Sequence, residues 1–231
     1  KLNVEELLAA YRHYLGEDAE IRITYVDEIR FRHPVNLWSA RISGMEGNKL
    51  YETEVSDYIA DYIANWGIRD VFTVTGGGAM HMNDAFGHHP KLHCTYQHHE
   101  QACAMAAEAY ARMDNRMAAV CVTTGPGATN AITGVLGCWM DSIPMIVFSG
   151  QARYATTVAA SGLKLRSMGV QECNIVPVVT SLTKYAQMVI DPKEIRYHLE
   201  KALYMAANGR PGPVWLDIPL DVQGQRLRRR I

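Results

Sequence analysis

The sequence predicts an α/β fold: a doubly wound parallel sheet with helices on both faces, carrying a small N-terminal appendage. Three observations predict it. From residue 50 onward, short apolar runs alternate with longer amphipathic stretches about six times over, the rhythm of strand and crossover helix. The runs at 118–123 and 144–149 are apolar almost throughout, as strands covered on both faces must be. Glycine-rich stretches stand where such runs end, and loops at the carboxyl edge of a parallel sheet are where ligands bind.

The elements follow in order. Val4, Leu7, Leu8, Tyr11 and Leu15 recur at helical spacing up to Gly16, and residues 21–26 alternate like a half-buried strand. Residues 31–48 have no period and carry Pro34, Gly44 and Gly47, so 1–49 reads as an appendage or linker. Val55, Tyr58, Ile59, Tyr62, Ile63 and Trp66 then mark a helix that Gly67 closes. A strand at 71–74 leads into Gly76, Gly77 and Gly78, followed by a helix at 79–86 and a strand at 92–96. The alanine-rich stretch 100–113 is a helix. The run at 118–123 meets Gly125-Pro126-Gly127 and a helix to about residue 140. Strands follow at 144–149 and 184–190. Asp191, Pro192 and Glu194 have the spacing of a helix start, Asn208-Gly209 ends that helix, and 214–218 is the last strand. The domain therefore spans 50–223, and the arginine-rich residues 224–231 read as a frayed, solvated tail.

Composition narrows the function. A chain of 231 residues, 48% hydrophobic and 20% charged, suits one large soluble domain with an appendage. A net charge of −1 gives no overall attraction to nucleic acid or an anionic membrane. The five cysteines, at 94, 103, 121, 138 and 173, have no two-residue spacing and read as reduced thiols in a cytoplasmic protein. Glu5 and Glu6 interrupt any signal peptide, and no stretch reaches the roughly 18 apolar residues of a membrane helix. The first residue is Lys1, not Met, so a fragment is expected. His81, His88, His89 and His93 cluster in sequence, but no cysteine or carboxylate completes a ligand set, and no metal site is expected in this chain.

Three stretches carry candidate chemistry. Gly76 to Gly78 lets backbone amides approach a ligand, or else makes a tight strand-to-helix turn. It is neither a dinucleotide fingerprint nor a Walker loop, which weighs against a nucleotide-binding enzyme. Thr124-Gly125-Pro126-Gly127 fixes a rigid turn, after which Thr129 and Asn130 offer polar groups. Glu100 opens the alanine-rich helix directly after a strand. A carboxylate there is ordinarily a helix-dipole partner, worth about 0.3–1 kcal/mol. Alternatively, close packing of that small-residue helix against another helix or subunit desolvates it, raises its pKa and suits it to proton transfer.

The motifs then match a family. His99-Glu100-Gln101-Ala102 with Ala106-Ala107-Glu108-Ala109-Tyr110-Ala111-Arg112 resembles the "HEQ…AAEGYAR" signature of acetolactate synthases and their relatives. Thr124 to Asn130 resembles "SGPGATN", and Asp141-Ser142-Ile143-Pro144 leading to Ser149-Gly150-Gln151 resembles "DSVP…TGQ". Gln171-Glu172 resembles "FQE", Thr183-Lys184 resembles "ITK", and residues 209–219 resemble "GRPGPV…DIP". All stand in the family's order between residues 50 and 223. The resemblance implies the pyrimidine-binding domain of a thiamine diphosphate enzyme acting on a 2-keto acid such as pyruvate, a decarboxylase or carboligase. It implies that Glu100 hydrogen-bonds the aminopyrimidine and activates the cofactor, and that Gln151 lies on the substrate side. Gly76, Gly77, Gly78, Thr124, Gly125, Pro126, Gly127 and Asn130 would contact the cofactor. Nothing here resembles the family's Gly-Asp-Gly…Asn-Asn motif, so the diphosphate and Mg²⁺ would be held by another segment or a second polypeptide, in a homodimer or higher assembly.

Departures fall on the substrate side. Thr75-Gly76-Gly77-Gly78 replaces a Tyr-Pro-Gly-Gly loop, Ala102-Cys103 replaces the usual glycine, and Gly169-Val170 precedes Gln171 where an aromatic is common. A different keto acid or acceptor would account for them. The rival reading is a non-catalytic dimerisation scaffold, against which the retained Glu100 speaks. Residues 20–29 also resemble the C-terminal part of adenylate-forming ligases, but Arg32-His33-Pro34 stands where the catalytic Gly-Lys belongs, which implies a remnant without ligase activity.

Overall fold

A computed structural model describes residues 50–114 and 116–230. The expected appendage, residues 1–49, lies outside the described residues. The chain divides into two units, residues 52–229 and residues 1–51 with 230–231. The first holds the main sheet.

The described elements are β1 (Leu50–Glu54), α1 (Val55–Trp66), β2 (Asp70–Thr73), α2 (Met80–His88), β3 (His93–Tyr96), α3 (Glu100–Asp114) and β4 (Ala118–Val122). Then come α4 (Pro126–Asn130), α5 (Ile132–Asp141), β5 (Met145–Gln151), α6 (Val158–Ser161), α7 (Ile175–Val179), β6 (Tyr185–Met188), α8 (Ile195–Ala207), β7 (Pro213–Pro219), α9 (Leu220–Gln223) and β8 (Arg226–Arg230). Six strands form one sheet in the order β3-β2-β4-β5-β7-β6, and every neighbouring pair is parallel. The chain winds first to one side of β2 and then to the other, which makes β2/β4 the point where strand order reverses.

Alternate residues of the strands feed two cores, one on each face. Ala119, Cys121, Ile146, Phe148, Val214 and Leu216 pack with α1, α2 and α8. Ala118, Val120, Val122, Met145, Val147 and Trp215 pack with α3, α5 and α7. Both faces are buried, so β4, β5 and β7 carry no solvent-facing side chain, which explains their unbroken apolar runs.

Local signals set the helix ends. Gly67 takes the left-handed conformation, φ 113°, after α1. The Asp191 carboxylate accepts from the Lys193 amide at 2.9 Å, and Pro192 starts a 3₁₀ turn that runs into α8. The helix expected to run unbroken to residue 140 is instead two, α4 and α5, joined at Ala131. The terminal residues expected to fray form β8, which pairs with β1 in a separate two-stranded sheet. The Val55 amide donates to the Gln225 carbonyl at 2.9 Å, and Arg226 lies 3.6 Å from Glu52. A charged strand hides its alternation, and its partner lies at the other end of the domain.

Candidate cofactor site

The carboxyl ends of β2, β3, β4, β5 and β7 lie along one edge of the parallel sheet, and the glycine stretches sit there. The loop after β2 is tied from below. The Thr73 hydroxyl donates to the Cys121 carbonyl at 2.8 Å, and Asn83 of α2 donates to Thr73 Oγ1 at 3.1 Å. The same Asn83 accepts from the Gly76 amide at 3.2 Å, and the Gly78 amide donates to Thr123 Oγ1 at 3.0 Å. Gln223 of α9 closes the back by donating to the Gly78 and Ile218 carbonyls at 2.7 and 2.8 Å.

Close approach, not conformation, requires glycine at most of these positions. A Cβ at Gly76 would overlap Thr123, and one at Gly78 would overlap the Thr124 hydroxyl. Gly125 is constrained twice, by φ +61° and by the Gln171 carbonyl against its Cα. Gly77 faces open space. Here the loop of β2 and the loop of β4 meet backbone to side chain.

Glu100 lies over this junction. A Cβ at Gly127 would fall 2.7 Å from Thr123 Cγ2 and 3.2 Å from Glu100 Oε1. Asn130, at the end of α4, donates to Glu100 Oε2 at 2.9 Å. One carboxylate oxygen is thus oriented by a neutral amide, and the other faces a position without a side chain. Glu100 is half-buried, less enclosed than a carboxylate at a sealed helix end. His99 caps the start of α3: its Nδ1 accepts from the Gln101 amide at 3.1 Å. Thr124 is 4% exposed, and its hydroxyl has no hydrogen-bond partner among the described residues. A buried hydroxyl left unpaired costs about 1–3 kcal/mol. An orphaned hydroxyl, a glycine cradle and a half-open carboxylate together fit a flat, hydrogen-bonding ring.

Gln151 ends β5 and does not join this group. It is 1% exposed. Its Nε2 donates to the Cys173 carbonyl at 2.7 Å and to Asp217 Oδ2 at 3.0 Å, while its Oε1 accepts from the Ala152 amide at 3.0 Å. Asp217 is wholly buried on β7, opposite Ser149, whose hydroxyl donates to Oδ1 at 2.6 Å and accepts from Trp215 Nε1 at 2.8 Å. Burial pushes the Asp217 carboxyl up to about 7, against the lowering effect of the Ser149 and Gln151 hydrogen bonds. The four clustered histidines face separate carboxylates: His81 Glu54, His88 Asp84, His89 Asp61 and His93 Asp70.

Sequence reasoning gave no role to Asn83 or Gln223, and it quoted Gln171 and Asp217 only as parts of motifs. Asn83 had a signal, because asparagine is a poor helix former in the middle of a helix. Gln223 had none, since its contact with Gly78 spans 145 residues.

Comparison with known proteins agrees with this geometry. Residues 53–166 match the family described as thiamine pyrophosphate enzyme, N-terminal TPP binding domain. The chain is 36% identical over 173 residues to acetolactate synthase 2, chloroplastic, of Zea mays, a match covering 74% of this chain and 25% of that protein. It is 38% identical over 160 residues to the acetolactate synthase large subunit of Buchnera aphidicola, covering 69% and 27% respectively. It is 36% identical over 167 residues to the acetolactate synthase isozyme 3 large subunit of Escherichia coli, covering 72% and 28%. The chain therefore spans about a quarter of the length of these curated relatives. By these matches the chain carries an acetolactate synthase-like N-terminal domain of the thiamine pyrophosphate enzyme type.

Proposed function

We propose that this chain supplies the pyrimidine-binding half of a thiamine diphosphate-dependent 2-keto acid decarboxylase or carboligase, with Glu100 as its proton-transfer group. The observation that carries the reading is Glu100 held by Asn130 above the side-chain-free Gly127. Thiamine diphosphate, when bound, supplies the electron sink for a 2-keto acid that loses carbon dioxide. The chain's own residues do the rest of the work at the ring. Glu100 exchanges a proton with a ring nitrogen through the oxygen that Asn130 does not hold. Asn130 keeps the carboxylate turned toward the cradle. Gly76, Gly78 and Gly127 keep the space clear, Gly125 and Pro126 fix the turn, and the Thr124 hydroxyl gains a partner. Gly77, with open space beside it, is the glycine a ring can approach.

Gln151 stands on the substrate side in this reading. Both of its amide hydrogens are already donated, so only a lone pair on Oε1 remains for a ligand. The diphosphate and Mg²⁺ fall to a second domain, from another segment or another polypeptide, and the working unit is a dimer or larger. A strip of exposed apolar side chains on α3 and α5 supports such an assembly: Met105, Leu136, Trp139 and Met140.

The test is exchange of the cofactor's thiazolium proton with deuterium, followed by NMR in the complete enzyme that contains this domain. Glu100→Gln slows exchange by about 100-fold or more, because the proton-transfer partner is gone. Equal exchange rates would remove Glu100 from the chemistry and leave a cofactor-derived scaffold as the better account.

A further inference from the structure

We propose that the cavity at the carboxyl ends of β5 and β6 binds a small organic anion, its acid group held by Arg166 and Asn174 and its apolar body lying along Val158, Ala159 and Met188. The cavity has a volume of about 400 Å³, within the range of small-molecule sites. Gln151, Glu172 and Cys173 complete its wall.

Charge around the cavity is unevenly satisfied. Glu172 lines the same cavity as Arg166 and is the obvious counter-ion, yet the two do not pair. Its Oε1 accepts from the Val158 amide at 2.7 Å, and its Oε2 accepts from the Met168 and Gly169 amides at 2.8 and 2.9 Å. Burial raises the Glu172 carboxyl, but these three amides outweigh it and hold the pKa below the ordinary value. The carboxylate thus stays charged and satisfied by backbone while it fastens both ends of the segment that carries Arg166. Among the described residues, Arg166 has neither an ion pair nor a hydrogen bond. Asn174 stands at the position that caps α7 but makes no capping bond, and its amide is equally free.

Two unpaired donors on the rim of one cavity, with the only acidic lining residue already saturated, select an anion. A guanidinium favours a planar carboxylate, which it can hold with two parallel bonds. The apolar wall selects an acid with a carbon body over a bare inorganic ion. The anion cavity stands independently of the cofactor. The choice of a 2-keto acid as ligand rests on the reading given above.

The experiment is calorimetric titration of the whole chain, with no cofactor added. The probes are 4-methyl-2-oxopentanoate, its methyl ester, the saturated acid 4-methylpentanoate, and inorganic phosphate. The keto acid binds saturably, and the uncharged ester binds at least about tenfold more weakly. Arg166→Ala weakens the acid by about tenfold or more, Arg166→Lys recovers part of the loss, and Asn174→Ala costs a few-fold. Arg166 and Asn174 are exposed, so near-ultraviolet circular dichroism of the variants matches the parent. No saturable binding by the parent chain, or an Arg166→Ala affinity equal to the parent's, overturns the proposal. Phosphate binding as tightly as the acid overturns the apolar part of it. A saturated acid that binds as well as the keto acid upholds the anion site, and the failure then belongs to the keto-acid reading.

Discussion

At the scale of single residues, two carboxylates stand in opposite circumstances. Glu100 is half-open and oriented by one amide. Asp217 is wholly buried, with two hydrogen-bond donors and no cation against it among the described residues. The buried one makes a pH prediction. Its folded pKa, about 7, lies above the ordinary 3.8. A carboxyl raised on folding binds more protons in the folded state, so its contribution to stability is fully present below the unfolded pKa. That contribution is lost as pH rises through the folded value. Asp217→Asn removes this titration. The stability of the parent relative to the variant should therefore fall between pH 5 and pH 8, by a few kcal/mol at about 1.4 per pKa unit, as read from urea midpoints. A constant difference across that range would show that Asp217 is already ionised at the acid end. Glu100, Gly127 and Asn130 were singled out because they stand in two motifs of one family resemblance, and the fold brings them together. Asp217 stood inside a recognised motif, but its role was not legible. Nothing in "DIP" says that the aspartate faces inward onto Ser149 and Gln151 rather than outward to solvent.

At the scale of elements, the alanines of α3 serve as surface. Gly134 and Gly137 of α5 lie against that helix. A Cβ at Gly134 would fall 2.6 Å from Ala104 Cβ and 2.7 Å from the Ala104 carbonyl carbon, and one at Gly137 would fall 2.7 Å from Glu108 Oε2. The first neighbour is an alanine Cβ with the backbone that fixes it and cannot yield; the second is the end of a flexible side chain. Gly134→Ala should therefore push α5 off α3 and destabilise the chain by about 1–3 kcal/mol. Gly137→Ala should stay nearer neutral, within about 0.5 kcal/mol, as Glu108 turns aside. Thermal unfolding followed by circular dichroism ranks them, and the reverse order would mean that α3 and α5 are not locked at Gly134. Most elements were legible from local chemistry: Gly67 ends α1, Asp191 and Pro192 introduce α8, and unbroken apolar runs give β4, β5 and β7. What failed was non-local. The strand β8 reads as a solvated arginine tail until β1 is seen beside it, and the break at Ala131 between α4 and α5 leaves no proline or glycine at the joint.

At the scale of the whole molecule, the described surface carries more exposed apolar area along α3 and α5 than a solvated face requires. Met105 is 43% exposed, Leu136 38%, Trp139 40% and Met140 64%, all on the two helices whose packing Gly134 sets. Leu136, Trp139 and Met140 run beside the later turns of α3, where Gly137 approaches Glu108 and Arg112 pairs with Asp141, while Glu100 begins that helix. The matched segment makes up about a quarter of each relative, and a second domain is the proposed source of the diphosphate and Mg²⁺ contacts. The prediction concerns a mixture of this chain with the remaining three-quarters of such an enzyme, supplied as a separate polypeptide. Sedimentation should show a complex larger than either part. Leu136→Glu combined with Met140→Glu should weaken it by about tenfold or more while leaving the circular dichroism of the chain unchanged, because both side chains already face solvent. Keto acid turnover should fall in step with the complex and return when the protein concentration is raised, since the substitutions touch assembly and not Glu100. Turnover lost with the complex intact would instead mean that these residues reach the site directly. A complex indifferent to both substitutions would place the partner's docking face elsewhere on the domain.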